Sequence, residues 1–256
     1  MPSPRVVVPA LALALAGCPS AAVDPTTLPC GSDEVTVELT TSDGLRLAAD
    51  YRPAATEDRG AVVLLHMIPP SNDRSTWPVE VRDAIAAEDL TVLNVDRRGG
   101  GDSEGIAQEA YEGPGGQLDV EAAMRFLVNP ELPCGVDTSR IALVGASNGT
   151  TSVLDYTVAR DASLPEPAAL TWMSPGAYTE NQHRIPEQRA LLDQIPILWM
   201  YPSSEPYSLG YIDDGAPAWR FVELGEAHGT RMFDGGALQE QATNELTEWF
   251  GRWVAP

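Results

Sequence analysis

At 256 residues the chain is long enough for one large core, and neither an internal repeat nor a long low-complexity segment divides it. A net charge of −21 argues against a nucleic-acid partner, because such a binder neutralises phosphates with clustered Lys and Arg. Lysine is absent and every basic side chain is arginine, which excludes Schiff-base chemistry, a Ser-Lys dyad and a Walker A loop.

In chain order, the first feature is a signal segment, residues 1–18. Arg5 precedes an apolar run from Val6 to Leu15 that is too short to cross a bilayer, and the run ends in Leu15-Ala16-Gly17-Cys18. This ending resembles the lipobox of bacterial lipoproteins. The resemblance implies a lipidated Cys18, a membrane anchor, and a chain on the periplasmic or outer side of the cell envelope; an ordinary signal peptide is the alternative. Residues 19–33, rich in Pro, Ser and Thr, read as a flexible tether, with a domain over 34–256. With Cys18 consumed by lipid, Cys30 and Cys134 remain, each in a Leu-Pro-Cys-Gly context. An even remainder outside the cytoplasm predicts a disulfide between them, two unpaired thiols being the alternative.

Residues 35–52 alternate apolar and polar side chains through "VTVEL" and "LRLAADY" around "TTSDG", the pattern of an antiparallel hairpin. The pattern then changes to short apolar runs at 61–66, 91–96, 140–145, 169–174, 196–201 and 219–224, which suit strands buried on both faces. Between them, "WPVEVRDAIAAED" reads as a helix. Val120, Ala123, Met124 and Leu127 mark a second, and Leu238, Ala242, Leu246, Phe250 and Trp253 trace one face of a terminal helix. Strands alternating with helices predict a mostly parallel α/β sheet, helices on both faces, with ligands outside the carboxyl ends of the strands. The run "DRRGGGDSEG" lacks the G-x-G-x-x-G spacing and reads as a loop after a strand.

One strand ends in Gly145-Ala146-Ser147-Asn148-Gly149. The G-x-S-x-G spacing is weak by itself, but an apolar strand that turns sharply into a helix lifts a serine hydroxyl to the sheet edge and aims the helix's positive end at it. Ser147 is the candidate nucleophile.

The segments "LLHMIPPSNDRSTWP", "LNVDRRGGGDSEG", "RIALVGASNG", "PILWMYPSSEPYS" and "LGEAHGTRMF" stand in the order found in the α/β-hydrolase family, which the chain resembles over about residues 35–253, in particular its dienelactone-hydrolase-like and esterase-like members. The resemblance implies an α/β-hydrolase fold with a minimal lid and a Ser, acid, His order along the chain. It makes His228 the base, since that residue lies in a glycine-flanked loop after the last strand, whereas His183 reads as an exposed loop residue and His66 as architectural. It assigns the oxyanion-hole amides to Met67 and Asn148, with Met67 standing where the family commonly has glycine; the alternative for Met67 is core filler. It aligns Glu205 with the triad acid, where the family usually has aspartate, while Asp213 and Asp214 compete for the role and Asp96 reads as a carboxylate that fixes its own loop.

No His, Cys, Asp or Glu spacing suggests a metal, and the chemistry asks for no cofactor. The connection between the strands at 169–174 and 196–201 is too short for a lid domain, which favours small or medium soluble substrates. The expectation is an extracytoplasmic serine hydrolase acting on small-molecule esters. Its rivals are a dienelactone hydrolase or peptidase of the same fold, and a non-catalytic surface lipoprotein; oligomeric state is left open.

Overall fold

The computed structural model of the chain describes residues 23–178, 181–212 and 214–255. The segment expected as a signal, with Cys18, lies outside the described residues, and so does Asp213. β1 (Val35–Thr40) and β2 (Arg46–Arg52) form the expected antiparallel hairpin. β3 (Arg59–Leu65), β4 (Thr91–Val95), β5 (Val136–Ala146), β6 (Ala169–Met173), β7 (Ile197–Tyr201) and β8 (Trp219–Glu223) are parallel to their neighbours among these. All eight make one sheet in the order β1-β2-β4-β3-β5-β6-β7-β8.

The inner strand runs are apolar without alternation because both faces of the sheet are covered there, whereas β8, expected to be buried on both faces, lies at the sheet edge and exposes Arg220 and Glu223. In β3, Ala61, Val63 and Leu65 point to one core and Val62 and Leu64 to the other. α2 (Gly115–Leu127) and α3 (Gly149–Ala159) close the first core with Val120, Ala123, Met124, Leu127, Val153 and Leu154. α1 (Val79–Ala86) and α6 (Gly236–Trp253) close the second with Val81, Ile85, Ala242, Leu246 and Phe250. Each fully buried Val, Leu or Ile contributes about 1.5–3 kcal/mol, so the helical stripes seen in the sequence are what holds the layers together. Two short helices, α4 (Arg189–Leu192) and α5 (Pro206–Leu209), lie in the connections on either side of β7.

Two features depart from the sequence reading. β5 begins at Val136 rather than Arg140; its first residues carry partly exposed polar side chains, and the register against β3 shifts between Arg59 and Ala61. Residues 23–33, expected as part of a flexible tether, are fastened to the domain. Val23 N–H donates to the Thr36 carbonyl at 3.0 Å and Gly31 N–H to Ala54 at 2.8 Å, and Cys30 is joined to Cys134, 104 positions away, by the expected disulfide.

Candidate active site

Ser147 sits in the tight turn between β5 and α3 with φ = +50°, a left-handed conformation that costs a non-glycine residue about 1–3 kcal/mol. The turn makes two close approaches. A Cβ on Gly145 would lie 2.6 Å from the backbone of Gly149, and one on Gly149 would lie 2.7 Å from the His66 carbonyl oxygen. Both glycines of the motif therefore answer to packing, and the strained residue is the serine itself. Ser147 N–H donates to the Met173 carbonyl at 2.7 Å, which pins the turn to β6.

The loop after β8 brings His228 over this turn. Its Nε2 lies 2.7 Å from Ser147 Oγ, and its Nδ1 is hydrogen-bonded to Glu205 Oε1. A carboxylate only accepts, so Nδ1 carries the proton and Nε2 accepts from the serine hydroxyl. Glu205 stands after β7 at the N-cap of α5, and the bond from Trp199 Nε1 to Ser208 Oγ, 3.0 Å, holds that helix against β7. Ser203 N–H donates to the Gly225 carbonyl at 3.0 Å, so the acid loop and the histidine loop are tied together. Asp214 is exposed and does not contact His228.

Met67 lies just after β3, and Asn148 is the residue before α3. Both are buried, and among the described residues neither of their N–H groups has an acceptor. The peptide that carries the Asn148 N–H is held from its other side, since the Ser147 carbonyl accepts from Thr150 N at 2.9 Å and Thr150 Oγ1 at 2.7 Å. The Met67 side chain is buried and packs on Gly229, where an added Cβ would lie 2.6 Å from its sulfur. It thus fills the space beneath the histidine loop. His66 is architectural: Nδ1 donates to the Met67 carbonyl at 2.7 Å, and Nε2 accepts Arg97 N–H at 2.9 Å. Accepting at Nε2 needs a neutral ring, and burial, helped by the Arg97 charge, pushes its pKa down to about 3.

Two further residues at this edge carry no sequence signal. Ser174, buried at the end of β6 with φ = +52°, accepts Gly229 N–H on its hydroxyl at 2.9 Å. The Tyr178 hydroxyl lies beside Ser147 and donates to the Ser174 carbonyl at 2.5 Å; burial pushes its pKa up to about 12. Asp96 fixes its loop by accepting Asp102 N–H at 2.9 Å and also binds the Arg74 guanidinium. His183 is not a free loop side chain: its Nδ1 lies 2.8 Å from the carboxylate of buried Asp155. Among the described residues no group of three His, Cys, Asp or Glu side chains could hold a metal ion.

No family model matches the sequence, and no curated protein matches it. Solved structures do match. An esterase of Pyrococcus furiosus aligns with a TM-score of 0.66 at 16% identity, over 92% of this chain and 98% of its own. A dienelactone hydrolase of Anabaena variabilis gives 0.64 at 14% identity, over 88% and 99%. The esterase domain of a Rhodothermus marinus protein gives 0.59 at 19% identity, over 87% and 100%. The chain has the α/β-hydrolase fold. A likeness at this identity carries the fold alone, so the chemistry must be argued from the site. In an α/β-hydrolase sheet ligands meet the carboxyl ends of the strands, and Met67, Ser147, Ser174, Glu205 and His228 follow β3, β5, β6, β7 and β8 in turn.

Proposed function

We propose that the protein is a serine hydrolase that cleaves carboxylic esters. The observation that carries this reading is the hydrogen-bonded line from Glu205 through His228 to Ser147, beside two buried amides that have no acceptor among the described residues. A serine hydroxyl is too weak an acid to attack a carbonyl unaided, and this line supplies the base and the carboxylate that orients it. Ser147 Oγ bonds to the ester carbonyl carbon while its proton passes to His228 Nε2, and the new oxyanion takes hydrogen bonds from the Met67 and Asn148 amides. Collapse breaks the bond to the alcohol, which leaves with the proton from His228. Water then attacks the acyl-serine by the same route, and the acid is released with Ser147 restored. The esterases among the structural neighbours favour this reading over other acyl transfers.

The proposal extends to location: a signal segment over 1–18, lipid on Cys18, and a hydrolase domain from residue 34 outside the cytoplasm. It is supported by the Cys30–Cys134 disulfide, since such bonds persist in oxidising compartments. Among the described residues no helix is long and apolar enough to cross a membrane.

A panel of p-nitrophenyl esters of increasing acyl length tests the activity. Turnover is expected with the short-chain members. A pure, folded protein that hydrolyses none of them contradicts the reading.

A further inference from the structure

Arg97 is completely buried, and among the described residues no carboxylate forms an ion pair with it; Arg98 beside it is paired with Asp119 and Asp43. Removing a guanidinium from water costs several kcal/mol unless its donors are used. Here they are used by neutral oxygens. Nη2 donates to the Ala110 carbonyl at 2.6 Å and to Ser152 Oγ at 2.8 Å. Nη1 donates to Asn148 Oδ1 at 3.0 Å and makes longer contacts, 3.4 Å each, to the carbonyls of His66 and Met67; Nε alone has no partner. Burial lowers the pKa of Arg97 to about 10, so the group is still a cation at neutral pH.

Of these partners, the His66 carbonyl shares a peptide with the Met67 N–H, and Asn148 Oδ1 belongs to the residue whose N–H is the second donor assigned to the oxyanion. The β3–β5 ladder ends at Leu65 and Gly145, so no sheet pairing sets the distance between Met67 and Asn148. Arg97 Nη1 spans that gap. Moreover, the His66 carbonyl and the Met67 N–H belong to one planar peptide and point in opposite directions. A donor on the carbonyl therefore fixes the plane in which the Met67 N–H lies. The Arg97 backbone reaches the same loop by a second route, through His66 to the Met67 carbonyl.

We infer that Arg97 is the positioning residue of the oxyanion hole, its guanidinium bridging the loop after β3 to the Asn148 side chain and so setting the separation and direction of the Met67 and Asn148 amides. The inference rests on the serine-hydrolase reading above. Arg97 touches no reacting atom; it acts through the two donors. Geometry of this kind is stringent, since an error of about 1 Å can cost a hundredfold in rate.

The test compares wild type with Arg97→Lys, Arg97→Met, Asn148→Ala and the Arg97→Met, Asn148→Ala pair. Three quantities are read: kcat and KM for p-nitrophenyl acetate, the Ki of phenylboronic acid, whose adduct with serine places an oxygen in the hole, and Tm. Lysine keeps the charge but has one nitrogen, which cannot hold both sides of the bridge. Arg97→Lys and Asn148→Ala are expected to lower kcat about tenfold and Arg97→Met about a hundredfold, with KM within about twofold and Ki rising in step with the loss of kcat. The pair should fall no more than about twofold below Arg97→Met, because the bridge they share is already gone. Folded variants that keep wild-type kcat and Ki overturn the inference, as does a loss of kcat that tracks only the fraction folded. If Arg97→Met fails to fold, Arg97→Lys and Asn148→Ala decide it by the same criteria. A wild-type protein inert to both compounds overturns the hydrolase reading instead, and the wild-type control alone separates the two failures.

Discussion

The Ser174 hydroxyl accepts the Gly229 N–H at 2.9 Å, and this bond ties the histidine loop to the strand beside the nucleophile turn. Ser174 is itself held rigidly. It is buried at φ = +52°, its N–H donates to the Met200 carbonyl at 2.8 Å, and its carbonyl accepts from Tyr178. The imidazole that meets Ser147 is thus set from a residue one strand away.

Ser174→Ala is expected to lower kcat for p-nitrophenyl acetate about tenfold with little change in KM, because the imidazole loses its fixed support. It should also destabilise the protein by about 1–3 kcal/mol, the cost of an orphaned buried N–H. Steady-state kinetics and denaturant melts read both effects. An unchanged kcat would remove Ser174 from the site.

Glu205→Gln keeps shape and loses the carboxylate, so turnover should fall by roughly 10² to 10⁴ with Tm nearly unchanged. Asp214→Asn should stay within about twofold of wild type, since that side chain is exposed and Arg189 binds its carbonyl rather than its carboxylate. Asp213→Asn completes the series. A silent Glu205→Gln beside a crippled Asp213 or Asp214 variant would move the acid to the later turn.

Elements with a long apolar pattern were legible in the sequence. β3, β4, β6 and β7 and the second half of β5 show as apolar runs because both faces are buried, whereas the edge strand β8 exposes Arg220 and Glu223; α2 shows as a stripe because one face is buried. α4 and α5, four residues each, are too short for any period to emerge. At the site, Ser147, flagged by a local motif, His228, by chain order, and Glu205, by the family resemblance alone, come together in the structure. Ser174 and Arg97 carried no such flag. Their partners are 55 and 51 positions away along the chain, and such pairing exists only once the sheet has closed. The Asp155–His183 pair was hidden for the same reason.

His66 makes stability depend on pH. Its folded pKa of about 3 lies below its ordinary 6.5, so on acidification the unfolded chain takes up the proton first. The stability contributed by the neutral ring is complete above pH 6.5 and is lost as pH falls towards about 3, at up to about 1.4 kcal/mol per pH unit. Comparing wild type with His66→Gln cancels the other titrating groups. The advantage of wild type should shrink by about 2 kcal/mol between about pH 7 and 5, and a constant difference across that range would contradict a buried neutral imidazole.

The central claim is that Ser147 is a nucleophile activated by His228. Reaction with a fluorophosphonate, followed by peptide mass spectrometry, tests it most directly, because the reagent bonds covalently only to an activated hydroxyl. The account predicts a single adduct, on Ser147, that is lost in a folded Ser147→Ala variant together with ester turnover. An adduct on another residue, or labelling that survives Ser147→Ala, would contradict it.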